Sequence, residues 1–466
     1  ALAMLKLIID SGRYDHEFVE KYTRGFEEFK DYLDTQAMEQ LSKWCGISVT
    51  DIEKLTDIFC STAKIPLVAY TGLEYQLSAI QNNRAIFVLW AITGKLDAPG
   101  AIYLNAKGLE TPKLFEIPED DKPIGADEFP LFYKFSGLGQ FSRFPKAVLE
   151  DEPYPVRGLM ILGGSPVLSF PDSKSWREAY KKLDCLIVLD RYYTEDARYA
   201  DVVFPACSLF EVPKAVPGPE GPHIVEPLIA PVGESKNDVL IMGAIAEKLG
   251  FGDKLPQTEE ELRSWLLSGT APYAGDFGAG AGQKKEKHYK KYETGELRSD
   301  GKPGFPTPSG KLEICSTILE ENGFVPYPEY KDVRSIPELA GKEYPFTMTS
   351  GARSNNRMGV FGANLDKIAE IEPYPFVDIN AEDAKEIGIE DGDMVKVITP
   401  FADGTFKAKI RGIARHAIHI PHGGGSAYMA EPWKNGNVND LCSLDYADPM
   451  TGFVLIKSVP CRVEKV

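Results

Sequence analysis

Three short apolar runs between residues 158 and 206 constrain the fold of this chain more than any other feature. They are GLMIL (158–162), CLIVLD (185–190) and DVVFPA (201–206), and a helical segment around 173–183 separates the first two. Apolar runs of this length predict buried strands, and strands connected through a helix are typical of a parallel sheet. The pattern therefore predicts a doubly wound α/β layer, in which ligands bind at the carboxyl ends of the strands.

The rest of the chain divides into regions of different character. The final region has short β-rich runs separated by Gly and Asp-Gly turns, which predict a β-barrel. We expect four regions: a partial α/β domain over 1–150, an α/β dinucleotide-binding domain over 151–260, a connecting segment over 261–340 and a β-barrel over 341–466.

Finer expectations follow from local patterns. The first region should hold helices over 1–9 and 15–33, a helix capped by Thr50, a buried strand at 64–72 and an irregular crossing over 100–150. Residues 237–250 should form a helix closed by Gly250. The lysine-rich run at 284–291 is expected on a solvated face, because short basic runs are usually exposed.

Composition excludes several classes of function. Lys+Arg 52 against Asp+Glu 69 gives a net charge of −17, which argues against nucleic-acid binding. No apolar stretch reaches the roughly 20 residues that span a bilayer, so we expect a soluble protein without a transmembrane segment. The seven cysteines include no CxxC spacing, and His416, His419 and His422 fall at a period that does not share a strand face. We therefore predict no metal ligand.

Polar residues follow the predicted strands where a ligand would bind. Asp190 ends CLIVLD, so its carboxylate should project at the sheet's carboxyl edge and accept hydrogen bonds from a guanine or ribose. Thr194 follows it and either caps the next turn or binds the ligand. Gly164 and Ser165, in GGSP, let backbone approach a ligand closely, or form an ordinary strand–helix turn.

Taken together, these segments resemble molybdopterin oxidoreductases of the dimethyl sulfoxide reductase/formate dehydrogenase type. LIVLDRYYTEDARYADVVFPA is similar to the family segment that holds one guanosine of the bis-molybdopterin guanine dinucleotide, and TPSGKLE matches the segment that leads into the barrel. The resemblance implies a six-stranded C-terminal barrel of the molybdopterin dinucleotide-binding type. It also implies that the following residues contact the cofactor: Gly164, Ser165 (in place of the usual Asn), Asp190, Thr194, Asp238, Arg353, His422, Asn439 and Lys457.

The resemblance also shows what has no counterpart. The family's N-terminal cysteine cluster and its molybdenum ligand match nothing here, and the opening ALAMLKLIIDSGRYDHEF resembles the middle of the family, so we expect a truncation or processing product. The intact enzyme would use molybdopterin guanine dinucleotide with Mo or W, and an iron–sulfur cluster only in the missing N-terminal part. Expected partners are that missing portion or a complementary subunit, an iron–sulfur electron-transfer subunit and a small-molecule substrate.

The implied activity is two-electron oxygen-atom or hydride transfer, as in anaerobic respiration, with this chain alone inactive and its catalytic residues unknown. Two alternatives stay open: a stand-alone cofactor-binding or assembly subunit, and a non-redox hydratase of the same superfamily. The sequence leaves the substrate open, and also the choice between cytoplasm and periplasm.

Overall fold

A computed structural model describes residues 1–104, 122–216, 222–268, 287–351, 365–429 and 431–466. The helices in these ranges are α1 (Leu2–Asp10), α2 (His16–Tyr22), α3 (Phe26–Asp34), α4 (Met38–Cys45), α5 (Val49–Ser61), α6 (Ala79–Ile92), α7 (Pro130–Ser136), α8 (Phe144–Glu150), α9 (Pro166–Ser169), α10 (Ser173–Lys182), α11 (Asp238–Lys248), α12 (Glu259–Leu267), α13 (Lys291–Thr294), α14 (Thr317–Glu321), α15 (Asp366–Ile371) and α16 (Ala381–Glu386).

The strands in the same ranges are β1 (Thr23–Arg24), β2 (Gly158–Leu162), β3 (Cys185–Asp190), β4 (Val202–Pro205), β5 (Lys214–Val216), β6 (His223–Val225), β7 (Leu312–Glu313), β8 (Phe346–Ser350), β9 (Phe376–Asn380), β10 (Met394–Ile398), β11 (Asp403–Arg411), β12 (Ala417–Ile420) and β13 (Val459–Lys465). Contacts divide the chain into a helical unit, Ala1–Leu109 with Lys285–Ser335, and a barrel unit, Glu110–Lys284 with Ile336–Val466.

The helical unit is built around α1, α3, α5 and α6. Their apolar faces form one core that includes the fully buried Leu5, Ile8, Phe29 and Ile92. The chain breaks after α1 at Ser11 and Gly12, between the two predicted helical segments, and β1 pairs in parallel with β7. Amphipathic helices of this length gain most of their stability from such packing.

Two local predictions in the helical unit are wrong. Residues 64–72 form no strand: Val68 is 95% exposed and Tyr70 is 83% exposed, so this apolar run is not part of a sheet. The helix α5 is capped by Ser48 rather than Thr50, because the Ser48 side chain accepts a hydrogen bond from the Asp51 amide at 3.1 Å.

The lysine-rich run contains a buried cation, contrary to prediction. Lys291 is 1% exposed and its ammonium lies 2.5 Å from the Asp97 carboxylate, while its backbone amide donates to the other Asp97 oxygen at 2.7 Å. Tyr103 covers the ammonium at 3.9 Å. A buried charge of this kind requires a partner, and the sequence around it did not reveal Asp97.

The predicted β–α–β arrangement is confirmed in the barrel unit. The strands β2, β3 and β4 form a parallel sheet in that order, and α10 connects the first two. Helices α8 and α10 cover one face, where Ile161, Leu186 and Val188 are buried. Helix α11 also matches its prediction and is followed by Gly250 in the left-handed region, with φ 88°.

The opposite face of this sheet is apolar but incompletely covered. Leu162 is 48% exposed and Val202 is 40% exposed. Parallel sheets usually bury both faces. We call this surface the open sheet face; it includes Met160, Leu162, Cys185, Ile187, Val202 and Phe204, whereas Leu189 on the same face is buried.

Residues 122–150 are more regular than predicted. Helices α7 and α8 lie where an irregular crossing was expected, with Leu131, Phe144 and Val148 buried. Each helix has a proline, Pro130 and Pro145, in its first turn. Proline at this position starts a helix instead of breaking it, because the first-turn amides have no intrahelical acceptor.

The C-terminal strands close into a six-stranded barrel in the order β10-β11-β9-β12-β8-β13, and β13 pairs with β10 to complete it. Alternate residues point inward, so that Met348, Val377, Val395, Phe406 and Ile418 are fully buried. The α/β fold with a C-terminal six-stranded barrel is therefore confirmed. Among the described residues, no helix is long and apolar enough to cross a membrane.

Candidate functional site

Asp190 lies at the carboxyl edge of the three-stranded sheet, as its position at the end of β3 predicts. Its backbone carbonyl accepts a hydrogen bond from Ala206 at 3.1 Å, which continues the pairing with β4. One carboxylate oxygen accepts from the Tyr192 amide at 3.0 Å. The side chain is half-buried and fixed by the turn that follows the strand.

Asp238 reaches the same edge through a fourth extended segment. Ala206, after β4, bridges in parallel to Lys236, and α11 starts directly afterwards with Asn237 as its cap. Partial desolvation and the neighbouring Asp190 carboxylate raise the pKa of Asp238, although its side chain is exposed at the edge, and the Arg191 cation opposes the shift. The fold thus brings Asp190 and Asp238 close enough for their charges to interact.

Thr194 follows Asp190 along the chain and precedes the 3₁₀ turn Asp196–Arg198. Its hydroxyl accepts a hydrogen bond from the Ala197 amide at 3.3 Å. This is the capping geometry that we weighed against ligand binding. The half-buried side chain keeps its hydroxyl proton to donate.

The GGSP loop is held by the buried carboxylate of Asp196, which the sequence analysis did not identify. The Ser165 hydroxyl donates to Asp196, which also accepts from the Val167 amide at 3.1 Å and the Tyr180 hydroxyl at 2.8 Å. Asp196 is fully buried, and burial raises its pKa despite these donors. Ser165 is thus hydrogen-bonded within the protein, while Gly164 exposes backbone at the start of α9.

His422 opens a glycine-rich segment at the end of β12. We call residues 421–429 the glycine loop; Gly423, Gly424 and Gly425 all have positive φ. A Cβ on Gly424 would lie 2.6 Å from the Gly436 carbonyl oxygen, so a larger residue would displace the loop. The Ala427 amide donates to Glu195 at 3.1 Å, which brings this loop beside the Thr194 turn.

Asn439 joins the barrel to the α/β layer. It is fully buried, its side-chain amide donates to the Leu168 carbonyl at 2.7 Å, and its carbonyl accepts from the Asp172 amide at 3.1 Å. The Asn437 side chain adds a bond to Ser173 at 3.0 Å. The segments NVNDL (437–441) and GGSPVLSFPD (163–172) therefore bind each other.

Lys457 lies beside the end of β8. Its ammonium donates to the Ser350 carbonyl, and a Cβ on Gly351 would lie 2.6 Å from it. Burial lowers the pKa of Lys457, opposed by the nearby Cys442. Arg353 lies within 352–364, outside the described residues, so its contact with the cofactor stays a prediction.

These residues fit a guanine-nucleotide cofactor by their chemistry. Two neighbouring carboxylates accept hydrogen bonds, and guanine offers N–H donors on its pairing edge. The glycine loop brings backbone within reach of a ligand because its residues carry no Cβ. The buried Asn439 amide oxygen has no hydrogen-bond partner among the described residues, and an atom of this kind accepts readily from a bound group.

Other candidate sites are less suited to the predicted ligand. Within the described ranges, no group of three His, Cys, Asp or Glu side chains could hold a metal ion. A cleft of about 730 Å³ in the barrel unit is lined by residues including Lys122, Arg143 and Tyr154. None of the described predicted site residues lines that cleft, and its cations Lys122, Arg143 and Lys146 are each paired with a carboxylate.

Comparison with known families identifies two matching regions. Residues 66–248 match the molybdopterin oxidoreductase family, and residues 347–460 match the molydopterin dinucleotide binding domain. The second match contains β9 to β12 with most of β8 and the start of β13, and the first contains β2, β3, β4 and α11. Both predicted carboxylates, Asp190 and Asp238, lie within the first match.

Individual relatives agree with this assignment. The chain is 27% identical over 445 residues to the F420-dependent formate dehydrogenase subunit alpha of Methanocaldococcus jannaschii, covering 90% of this chain and 62% of that protein. It is 26% identical over 466 residues to the acetylene hydratase of Syntrophotalea acetylenica, covering 91% and 62%. The solved acetylene hydratase from Pelobacter acetylenicus has the same fold, with a TM-score of 0.80 at 20% identity, covering 100% of this chain and 70% of that one.

Proposed function

Because the chain belongs to the molybdopterin oxidoreductase superfamily of the dimethyl sulfoxide reductase/formate dehydrogenase type, we propose that it binds the guanosine end of a molybdopterin guanine dinucleotide. Asp190 and Asp238 would accept the N–H groups of the base. Thr194 and the Gly164–Ser165 turn would contact the same nucleoside. The observation that carries the proposal is the convergence of the two carboxylates at one carboxyl edge.

The barrel would hold the other parts of the cofactor. His422 and the glycine loop follow β12, and Lys457 lies at the end of β8, where a cation favours an anionic pyrophosphate. Arg353 is proposed for the same role from its motif alone. The cofactor, with Mo or W, supplies the two-electron chemistry of oxygen-atom or hydride transfer, and the polypeptide supplies binding and orientation.

We propose further that this chain does not catalyse alone. It spans 62% of the length of the formate dehydrogenase and hydratase relatives, and the open sheet face is an apolar surface that further polypeptide would cover. The partner is a portion or subunit equivalent to the rest of those relatives, carrying the metal ligand and any iron–sulfur cluster. About one Mo or W per purified chain, with turnover, would contradict this.

A hydratase is the second candidate function. The likeness to an acetylene hydratase over 91% of the chain supports it as well as the formate dehydrogenase likeness supports redox chemistry. The redox enzyme and the hydratase would bind the nucleotide at the same site, so the two candidates differ only in the reaction of the completed enzyme. A stand-alone assembly subunit would bind the cofactor and release it to another protein without turnover.

Calorimetric titration of the full chain with GDP and ADP tests the shared proposal. GDP should bind and ADP should not, because adenine lacks the N–H donors at the position that faces the carboxylates. Asp190→Ala should weaken GDP binding by about 1.5–3 kcal/mol. Glu178→Ala removes an exposed carboxylate of α10 that pairs with Lys181, and is the matched control. Equal affinity for both nucleotides, or no effect of Asp190→Ala, would reject the site.

A further inference from the structure

Glu195 is a buried acid that the predicted site does not use. It follows Thr194 directly and is 3% exposed. One carboxylate oxygen accepts from the Arg198 guanidinium at 2.7 Å, within the same turn. The other accepts from the Ala427 backbone amide at 3.1 Å, in the glycine loop of the barrel.

Local structure does not require this second bond. Arg198 already provides the counter-charge of Glu195 from within the same turn. Its own side chain is 42% exposed, so this ion pair does not need the glycine loop. Burial of a carboxylate costs free energy unless every oxygen finds donors. A tight turn holds the Ala427 amide in place. In this turn the Ser426 hydroxyl accepts a hydrogen bond from the Tyr428 amide at 3.2 Å, and the Ser426 carbonyl accepts one from the Met429 amide at 3.1 Å.

An aromatic pair joins the same two segments nearer to solvent. Tyr193 and Tyr428 meet edge to face, with ring centroids 5.3 Å apart and an interplanar angle of 89°. The two rings are 55% and 48% exposed. Aromatic pairs of this geometry add modest stabilisation, and exposed ones separate easily when their backbones move. The ring contact therefore reports the spacing that Glu195 sets.

We propose that Glu195 is a positioning residue: by binding Ala427 it clasps the turn after β3 to the glycine loop and fixes the spacing between these two sides of the proposed nucleotide site. Asp190 and Thr194 stand on one side of this clasp and His422 on the other. The clasp itself depends only on the contacts above, whereas its effect on a ligand rests on the proposed function. Without it, the two sides separate and the ligand loses a preorganised site.

Photochemical dityrosine formation in the full chain measures the spacing without any ligand. Ruthenium-sensitised oxidation with persulfate couples neighbouring tyrosines, and mass spectrometry identifies the Tyr193–Tyr428 product. The wild type should give this product, and Tyr428→Phe should abolish it. Glu195→Ala should lower its yield severalfold, and Glu195→Gln, which keeps the shape and one acceptor oxygen, should lower it less.

GDP titration of the same variants measures the consequence for binding. Glu195→Ala should raise the Kd for GDP about tenfold, equivalent to about 1.4 kcal/mol, with Glu178→Ala unchanged. Product yields equal to wild type in both Glu195 variants would overturn the clasp, and wild-type GDP affinity in both would overturn its effect on the ligand. If Glu195→Ala unfolds, Glu195→Gln decides alone. Absence of GDP binding in the wild type would reject the proposed function, while the dityrosine yields would still test the clasp.

Discussion

The closed barrel and the three-stranded sheet bury apolar residues to different extents. Each barrel strand has two neighbours, and its inward residues, such as Val377 and Phe406, are fully buried. In the sheet, β2 pairs only with β3 among the described strands, and the open sheet face leaves Leu162 about half exposed. The barrel therefore completes its own core, whereas the described part of the sheet leaves one face partly exposed.

The largest expected effect separates these two regions directly. Phe406→Ala should destabilise the barrel by about 3–5 kcal/mol, because it removes a fully buried ring from a closed core. Leu162→Ala on the open sheet face should cost less than about 1 kcal/mol, because much of that side chain already contacts water. Hydrogen exchange over β9–β11 and β2–β3, measured by mass spectrometry on the full chain, gives both values. Equal costs would show that the open face is covered in solution.

Asp196 tests the support beneath the GGSP loop. Asp196→Ala removes the acceptor of the Ser165 and Tyr180 hydroxyls and of one amide. We expect a loss of about 2–3 kcal/mol in the α/β layer, since buried donors are left without partners. Exchange of the α9 and α10 amides measures it, with Glu178→Ala as the exposed control. A loss of stability no larger than that of Glu178→Ala would mean that the GGSP loop keeps its conformation without Asp196.

The same carboxylate should give the α/β layer a pH dependence. Burial raises the pKa of Asp196 in the folded protein above the ordinary value of 3.8, so the folded state holds the proton more tightly. Its contribution to stability is therefore fully present below pH 3.8 and is lost as the pH rises through the raised pKa. As the pH rises through that window, the unfolding free energy of the wild type should fall relative to that of Asp196→Asn, because asparagine does not titrate. A pH-independent difference would contradict the assignment.

The smallest effect concerns the edge carboxylates. Asp238→Asn removes the repulsion from Asp190 and should raise the unfolding free energy by less than about 1 kcal/mol, and the melting temperature slightly, because the Asp238 side chain is exposed. The gain should fade with added salt, because ions screen exposed charges. Asp253→Asn, in an exposed pair with Lys254, is a control that should not stabilise. An unchanged melting temperature at low salt would show that the two carboxylates do not interact.

Periodicity was sufficient to predict the elements that bury their residues locally. The alternating runs at β8 to β12 and the β–α–β order around β3 are patterns of adjacent residues, and they also set Asp190 at the sheet edge. The strand β13 was not identified, because Pro460 interrupts its apolar alternation although it pairs with Thr347.

Long-range partners could not be predicted in the same way. Lys291 is buried because Asp97 reaches it from 194 residues away, and Asp196 is held by Ser165 from the loop before α9 and by Tyr180 from α10. Neither acid differs in local pattern from a surface residue. Similarly, Asn439 was assigned to the cofactor from a motif, and its contacts to Leu168 and Asp172 became visible only once the barrel and the sheet were placed together.

The most direct test of a nucleotide site at the carboxyl edge of the three-stranded sheet is hydrogen exchange of the full chain with and without saturating GDP. The account predicts slower exchange in three segments together: the turn after β3, the start of α11 and the glycine loop. Amides of the open sheet face serve as the internal reference and should not change. Protection confined to another surface, such as the cleft beside Lys122 and Tyr154, or no protection at all, would contradict it.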